Sequence, residues 1–404
     1  MPANREVAKR SIRNYEIDGK TVLLRVDYNL PMRPGTTEIL DDRRILATVP
    51  TLAHLLERSC RVLIVTHLGR PDGRWVEELA LAPVTDRLAK LLGVPVLQLP
   101  GYRGPEIAAA IEVMPHGSIA MLENIRFDPG EEANDPQLAE DLAGLADIFV
   151  NDAFGAAHRA HASTEGVARL LPAVAGLLME KELSALGGAL QTPERPFTAV
   201  VGGAKVSDKL AVLDRLSSLV DTLIIGGGMA ATFLAAQGHS VGSSIVEQER
   251  MAYATDLMSG TQCSSARVLT PTDVVVADRF SEKATAKTVG VGDIPDGWLV
   301  LDIGPETAET YSRAVAESRT VLWNGPMGVF EWEAFSDGTR QVAESVAELY
   351  GTATTVTGGG STSEAVARLG LTSRISHDST GGGATLAFIE GKKLPGVAAL
   401  LDER

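Results

Sequence analysis

Cysteine is nearly missing from this chain. Cys60 and Cys263 are the only two in 404 residues, far apart and outside any CxxC or Cys/His spacing. No disulfide framework is therefore expected, a reducing compartment fits, and burial is the expected fate of both thiols. Long apolar runs are also missing. The longest, LLPAVAGLLM from Leu170 to Met179, contains Pro172 and is about half a membrane span. Residues Met1 to Lys20 are charged and hold no apolar stretch of the signal-peptide kind, so a cytoplasmic location is expected. Positive charge is in deficit: 37 Lys and Arg against 52 Asp and Glu give a net charge of -15. That balance disfavours nucleic acid or an anionic membrane as a partner, and an anionic substrate needs a local basic pocket. Neither a GxxxxGK[ST] phosphate loop nor a GxGxxG dinucleotide fingerprint occurs. No low-complexity tract and no residue-level repeat appears.

What the chain does have is ten short apolar runs that stop at polar or glycine punctuation. They are TVLLRV, RVLIVT, SIAML, DIFV and FTAVV, then TLII, DVVVA, WLVL, TVLW and TATTVT. Runs this short, rich in Val, Ile and Leu and separated by helix-length amphipathic stretches, predict buried parallel strands of an α/β fold. Ligands of such sheets collect at the carboxyl ends of the strands. The length predicts about two domains. PAVAGLLMEKELSALGGAL reads as one helix that Pro172 opens and Gly187 and Gly188 end, connecting the two halves. The polar turn QTPERP, Gln191 to Pro196, then precedes a fresh strand.

The punctuation changes along the chain. In the first half Arg25, Arg44, Arg70, Arg126 and Arg159 follow strands, and planar guanidinium groups clamp carboxylate and phosphate oxygens at two points. His67, Asp27 and Asn29 can hydrogen-bond a hydroxyl or carboxylate of the same ligand. His54 and His116 lack such placement and read as structural. In the second half VVGGAKVSDK places Lys205 and Lys209 four apart, expected to open a helix and share its face. Glycines let backbone amides approach a phosphate, and a helix start adds its positive end. LIIGGGMA, VTGGGSTSEAV and HDSTGGGATL repeat the theme, which predicts a phosphate-rich ligand. WNGPMGVFE adds Asn324 and Glu331, a carboxylate of the sort that binds ribose hydroxyls.

RVDYNLP, THLGRP, LENIRF, NDAFGAAHRAH, GGAKVSDK, LDIGP, WNGPMGVFE, and STGGGATL with LPGV resemble phosphoglycerate kinase in order and spacing, from about Arg25 to Val397. The resemblance implies two Rossmann-like parallel-sheet domains joined by a hinge helix, with a cleft between them. The amino-terminal domain, 1–175 with about 391–404 returning to it, would bind 3-phosphoglycerate or 1,3-bisphosphoglycerate. Residues 172–190 would be the connecting helix, and 191–390 the domain for ADP or ATP with Mg²⁺. Arg25, Asp27, Tyr28, Asn29, Arg44, His67, Leu68, Gly69, Arg70, Arg126 and Arg159 look like the triose-acid site. Gly203, Lys205, Lys209, Gly227, Gly304, Asn324, Glu331, Gly359, Gly360, Ser361 and Thr362 look like nucleotide ligands. Arg44 and Lys205 would meet the transferring phosphoryl group, with Gly382 and Gly383 aiming amides at it. A monomer is the family expectation.

The chemistry agrees with what the chain offers. The nucleophile of an acyl-phosphate kinase is already anionic, so alignment, charge neutralisation and exclusion of water suffice without a strong general base. One position departs from the family pattern: Ser361 stands where the magnesium-binding aspartate is usual. Asp378 is the substitute carboxylate the sequence offers. Two other readings stand beside the kinase: a nucleotide-binding homologue with impaired turnover, and a kinase acting on a related phosphorylated carboxylic acid.

Overall fold

The structure is a computed structural model and describes residues 8–260 and 266–403. Cys60 is buried, whereas Cys263 lies outside the described residues. The chain divides into two compact units, Met1–Ser184 with Lys392–Arg404, and Ala185–Gly391.

In the first unit Thr21–Arg25 (β1), Arg61–Val65 (β2), Val96–Gln98 (β3), Ile119–Met121 (β4), Ile148–Asn151 (β5) and Ala173–Ala175 (β6) form one sheet. Its order is β3-β4-β2-β1-β5-β6, and its pairings are parallel. Thr21 to Arg25 are all buried, as expected of a central strand covered on both faces. Leu24, Ile64 and Val150 of the sheet share a core with Ile45, Leu52 and Leu55 of the helix Arg43–Glu57. The C-terminal segment belongs to this unit. Leu401 donates its amide to Ala173, and Lys9 pairs with Asp402 at 2.6 Å.

The second unit holds a six-stranded parallel sheet built from Phe197–Val201 (β7), Thr222–Ile225 (β8) and Arg267–Leu269 (β9) with three later strands. Between them come Asp273–Ala277 (β10), Ala286–Gly290 (β11) and Leu299–Ile303 (β12), followed by Thr320–Asn324 (β13), Thr354–Thr357 (β14) and His377–Asp378 (β15). The parallel order is β15-β14-β13-β7-β8-β9. Two runs expected to be parallel are not. DVVVA and WLVL become β10 and β12 of a separate antiparallel sheet, β11-β10-β12. Only residues 278–285 join β10 to β11, and a parallel crossover needs a dozen or more. β11, AKTVG, is largely exposed and carries no apolar run to announce it.

The connecting helix also differs from expectation. It spans Leu177–Gln191, passes through Gly187 and Gly188, and starts after Pro172. Residues Ala173 to Ala175 pair with Phe149 to Asn151 instead, because the sheet edge at β5 has unpaired backbone groups to fill. The division between the units falls within this helix.

Candidate active site

In the first sheet β1 is followed by β2 on one side and bordered by β5 on the other, so the strand order reverses between β1 and β5. In the second the reversal falls between β7 and β13. Crevices at the carboxyl ends of such strand pairs are where open α/β sheets bind ligands. Most of the arginine and glycine punctuation sits at these ends, but Arg44, expected to follow a strand, lies in the first turn of the helix Arg43–Glu57 and reaches the rim from there.

At the first reversal, Arg25 closes β1 and is 1% exposed. Its Nε donates to Ser163 Oγ at 2.8 Å, its Nη1 to the Val26 carbonyl, and its Nη2 lies 3.1 Å from His67 Nδ1. Arg44 Nη1 donates to Asp27 Oδ1 at 2.9 Å and to the Asn29 carbonyl at 3.1 Å. Asn29 Oδ1 accepts from the Gly69 amide at 2.9 Å, and Arg126 Nη1 donates to the Gly69 carbonyl at 2.8 Å. Gly69 has φ +66, and a Cβ there would lie 2.6 Å from Leu79, so this turn requires glycine. Arg159 is half-buried beside His158 and has no carboxylate partner among the described residues. Burial pushes the His67 imidazole well below its ordinary pKa, and the charges of Arg25, Arg126, Arg44 and Arg159 push the same way. The site thus brings together four guanidinium groups around one neutral imidazole.

Other predicted residues lie differently. Arg70 is exposed. Tyr28 and Leu68 have core side chains, the Tyr28 hydroxyl meeting Thr48 Oγ1 at 2.6 Å, which leaves only their backbone for a ligand. His54 and His116 each approach a backbone carbonyl, of Ile12 and Ser59. Asn124 escaped the sequence reading. It accepts from the Leu68 and Arg126 amides and donates to the Leu68 and Leu79 carbonyls, so it fixes the His67–Gly69 turn. Its place in LENIRF was the available signal.

At the second reversal the glycine loops converge. Lys209 Nζ donates to Asn324 Oδ1, and Asn324 Nδ2 donates to the Gly358 carbonyl at 2.6 Å. The Gly325 amide donates to Thr362 Oγ1 at 2.7 Å. Burial draws the Lys209 ammonium below its ordinary pKa against the pull of Asp208 and Glu390. A Cβ on Gly227, at φ +69, would lie 2.5 Å from the Gly203 amide nitrogen. Gly359 has φ +97, and a Cβ there would lie 3.0 Å from Asn324 Nδ2. A Cβ on Gly358 would lie 2.8 Å from Thr385 Cγ2, so the Gly381 to Gly383 turn sits beside this loop. Gly382 has φ +52 and the helix Gly383–Ile389 follows it.

Two expectations change here. Lys205 is not on a helix: Ser207–Lys209 is a single 3₁₀ turn and the α-helix starts at Leu210, so the two lysines share no helix face. Lys205 is exposed and its charge acts on Glu247, a neighbour that sequence reasoning missed. Gly304 follows β12 of the antiparallel sheet, where a Cβ would lie 2.2 Å from Asp273 Oδ2. Packing on that carboxylate suffices to explain it. Glu331 and Ser361 are exposed, Ser361 in the first turn of the helix Gly360–Arg368. Asp378 Oδ1 accepts from Thr357 Oγ1 at 2.7 Å and Ser363 Oγ at 2.6 Å.

The family model for phosphoglycerate kinase matches residues 12–392. The chain belongs to the phosphoglycerate kinase family. It is 52% identical over 395 residues to the phosphoglycerate kinase of Herpetosiphon aurantiacus, covering 98% of this chain and 100% of that one. It is 51% identical over 397 residues to that of Moorella thermoacetica, with 98% and 100% covered. The solved structure of phosphoglycerate kinase from Coxiella burnetii matches with TM-score 0.86 at 42% identity, covering 97% of this chain and 98% of that chain. That from Pyrococcus horikoshii matches with TM-score 0.84 at 33% identity, with 97% and 98% covered. The chain is accordingly a kinase of glycolysis that transfers a phosphoryl group reversibly, with a nucleotide among its small-molecule substrates. A homologue without turnover is not favoured by these likenesses. Among the described residues no helix is long and apolar enough to cross a membrane.

Proposed function

We propose that the first unit binds 3-phosphoglycerate or 1,3-bisphosphoglycerate and the second ADP or ATP. The observation that carries the acid site is the set of four guanidinium groups around neutral His67. Arg25, Arg126 and Arg44 each also meet a carboxylate, but Arg159 does not, which leaves net positive charge for an anion. Asp27 and Asn29 supply acceptors and donors for the hydroxyl. The nucleotide site rests on Lys209, Asn324, Gly203, Gly227, Gly359, Gly360 and Thr362, and the exposed Lys205, Glu331 and Ser361 are assigned to phosphate and ribose.

The reaction needs little proton chemistry. The acid's carboxylate attacks the terminal phosphorus of ATP, the bond to ADP breaks, and in the other direction ADP attacks the acyl phosphate. Arg44 and Lys205 are assigned to the charge of the transferring group, and the amides of Gly382 and Gly383 to its oxygens.

Mg²⁺ enters this proposal with the nucleotide. Among the described residues no group of three or more His, Cys, Asp and Glu could hold a metal ion. Ser361, exposed in the first turn of the helix Gly360–Arg368, offers one neutral oxygen, which suits a cation that keeps waters and phosphate oxygens as its main ligands. When bound, the cation neutralises charge on the phosphate oxygens. Asp378 is already engaged by Thr357 and Ser363, which makes Ser361 the better candidate. A monomer in the cytoplasm is the setting we assign from the family resemblance.

Titration calorimetry with Arg126→Ala and Lys209→Met tests the assignment. Arg126→Ala should weaken 3-phosphoglycerate binding about 10-fold or more while ADP affinity holds, and Lys209→Met should do the reverse. Repeating the ADP titration with Mg²⁺ on Ser361→Asp should show tighter binding. Loss of both ligands in either variant, or of neither, would reject the two-site reading.

A further inference from the structure

The buried group behind the acid site has a chain of hydrogen bonds with only one consistent set of donors. Glu131 is fully buried, yet its carboxyl lies below the usual range. Burial alone would raise it, but His161, Arg25 and Ser163 together outweigh that. Its Oε2 accepts from the Ser163 amide at 2.9 Å and its Oε1 from the Ser163 hydroxyl at 2.7 Å. With its proton committed to Glu131, Ser163 Oγ accepts from Arg25 Nε. Arg25 Nη1 is held by the Val26 carbonyl. The remaining Nη2 lies 3.1 Å from His67 Nδ1 and 3.9 Å from Glu131 Oε1. Guanidinium nitrogens only donate, so Nδ1 must accept and the single ring proton sits on Nε2.

We propose that Glu131 is a positioning residue which, through Ser163 and Arg25, holds His67 as the neutral Nε2–H tautomer that donates to the bound acid. The link from tautomer to ligand rests on the acid-site reading above; the tautomer itself does not. Glu131→Gln breaks the chain for an atomic reason. Ser163 presents two donors, amide and hydroxyl, to two carboxylate oxygens, and an amide side chain offers only one acceptor. Either the hydroxyl turns and loses its place under Arg25, or the amide is left unpaired. The guanidinium is then free to rotate away from Nδ1.

Two-bond proton–nitrogen correlation spectra of the ¹⁵N-histidine-labelled protein at neutral pH read the tautomer directly. His67 is assigned among the seven histidines with His67→Gln. The expected result is a protonated Nε2 and an unprotonated Nδ1 in the free protein. Glu131→Gln should give averaged tautomer shifts and a rise of about 10-fold in KM for 3-phosphoglycerate, with KM for ATP unchanged. Should Glu131→Gln fail to fold, Ser163→Ala removes the same relay and should move the His67 spectrum alike. A protonated Nδ1 in the wild type, or an unchanged His67 spectrum in both variants, would overturn the proposal. If the tautomer shifts as expected but 3-phosphoglycerate leaves the wild-type His67 signals in place, the acid-site reading fails and the relay stands.

Discussion

Gly202 and Gly325 meet where β7 and β13 end, and neither position has room for a side chain. A Cβ on Gly202 would lie 2.0 Å from the Pro326 carbonyl oxygen, and one on Gly325, at φ +106, would lie 2.2 Å from the Gly202 carbonyl oxygen. Both obstacles are backbone, so they cannot rotate aside. Gly202→Ala should therefore cost roughly 1–3 kcal/mol of stability, the range for forcing a methyl into a filled space. It should also displace Asn324, whose carbonyl accepts from the Gly202 amide at 3.0 Å and whose side chain holds Lys209. Calorimetry should show weaker ADP binding and unaltered 3-phosphoglycerate binding. Equal affinity for ADP would mean that the close approach of these two loops is unrelated to the nucleotide.

A helix can be started from a distance. The helix Leu177–Gln191 has no capping side chain immediately before it: Gly176 precedes it. Asp152, following β5, fills that role. Its Oδ1 accepts from the Leu178 and Met179 amides at 2.9 and 3.1 Å, while Thr51 Oγ1 accepts from Leu177. Asp152→Ala leaves these amides unpaired at a buried position and should destabilise by about 2 kcal/mol. Asp152→Asn keeps one acceptor oxygen and should cost less. Chemical denaturation of both variants checks the order, and equal losses would contradict it. This remote cap explains why the sequence misplaced the helix start. With no local Ser, Thr, Asp or Asn at the entry, Pro172 looked like the opening, although residues 173–175 serve the sheet. The ten apolar runs all proved to be strands, most of them buried and rich in Val, Ile and Leu. β3, β6 and β15, at two or three residues each, are too short to carry a pattern. The antiparallel sheet of β10 and β12 also holds β11, whose exposed AKTVG carries no apolar run to read.

At the scale of the molecule, Arg25, Arg126 and Arg159 were legible because each ends or follows a strand and strand ends share one rim of the sheet, whereas Arg44 lies in the first turn of the helix Arg43–Glu57. Their supports were not. Ser163 lies 138 residues from Arg25, and nothing in local pattern joins Glu131 to His67. The two units also carry buried carboxyls that face no cation among the described residues. Burial pushes Asp152 up to about 6 in the first and Asp302 up to about 7 in the second, the latter against the pull of the Gly338 and Ile303 amides. A carboxyl raised above its unfolded value of about 4 holds its proton more tightly in the folded chain. The stability it lends is complete below about pH 4 and is lost as pH rises toward the folded value. The second unit should therefore weaken between about pH 5 and pH 7, by at most about 1.4 kcal/mol per pH unit from this one group. Glu247, whose carboxyl is lowered by Ser207 against its burial, acts in the opposite sense but titrates below that window. Tryptophan fluorescence separates the units, since Trp323 is fully buried in the second and Trp75 is 57% exposed in the first. Because the chain holds two units, the fluorescence transition is taken as the second unit's own. Urea midpoints followed this way should fall from pH 5 to pH 7 in the wild type and stay nearly level in Asp302→Asn. That variant is less stable at pH 5, because its amide group faces the Gly338 donor. An Asp302→Asn chain that kept the wild-type slope would show that the slope originates in another group.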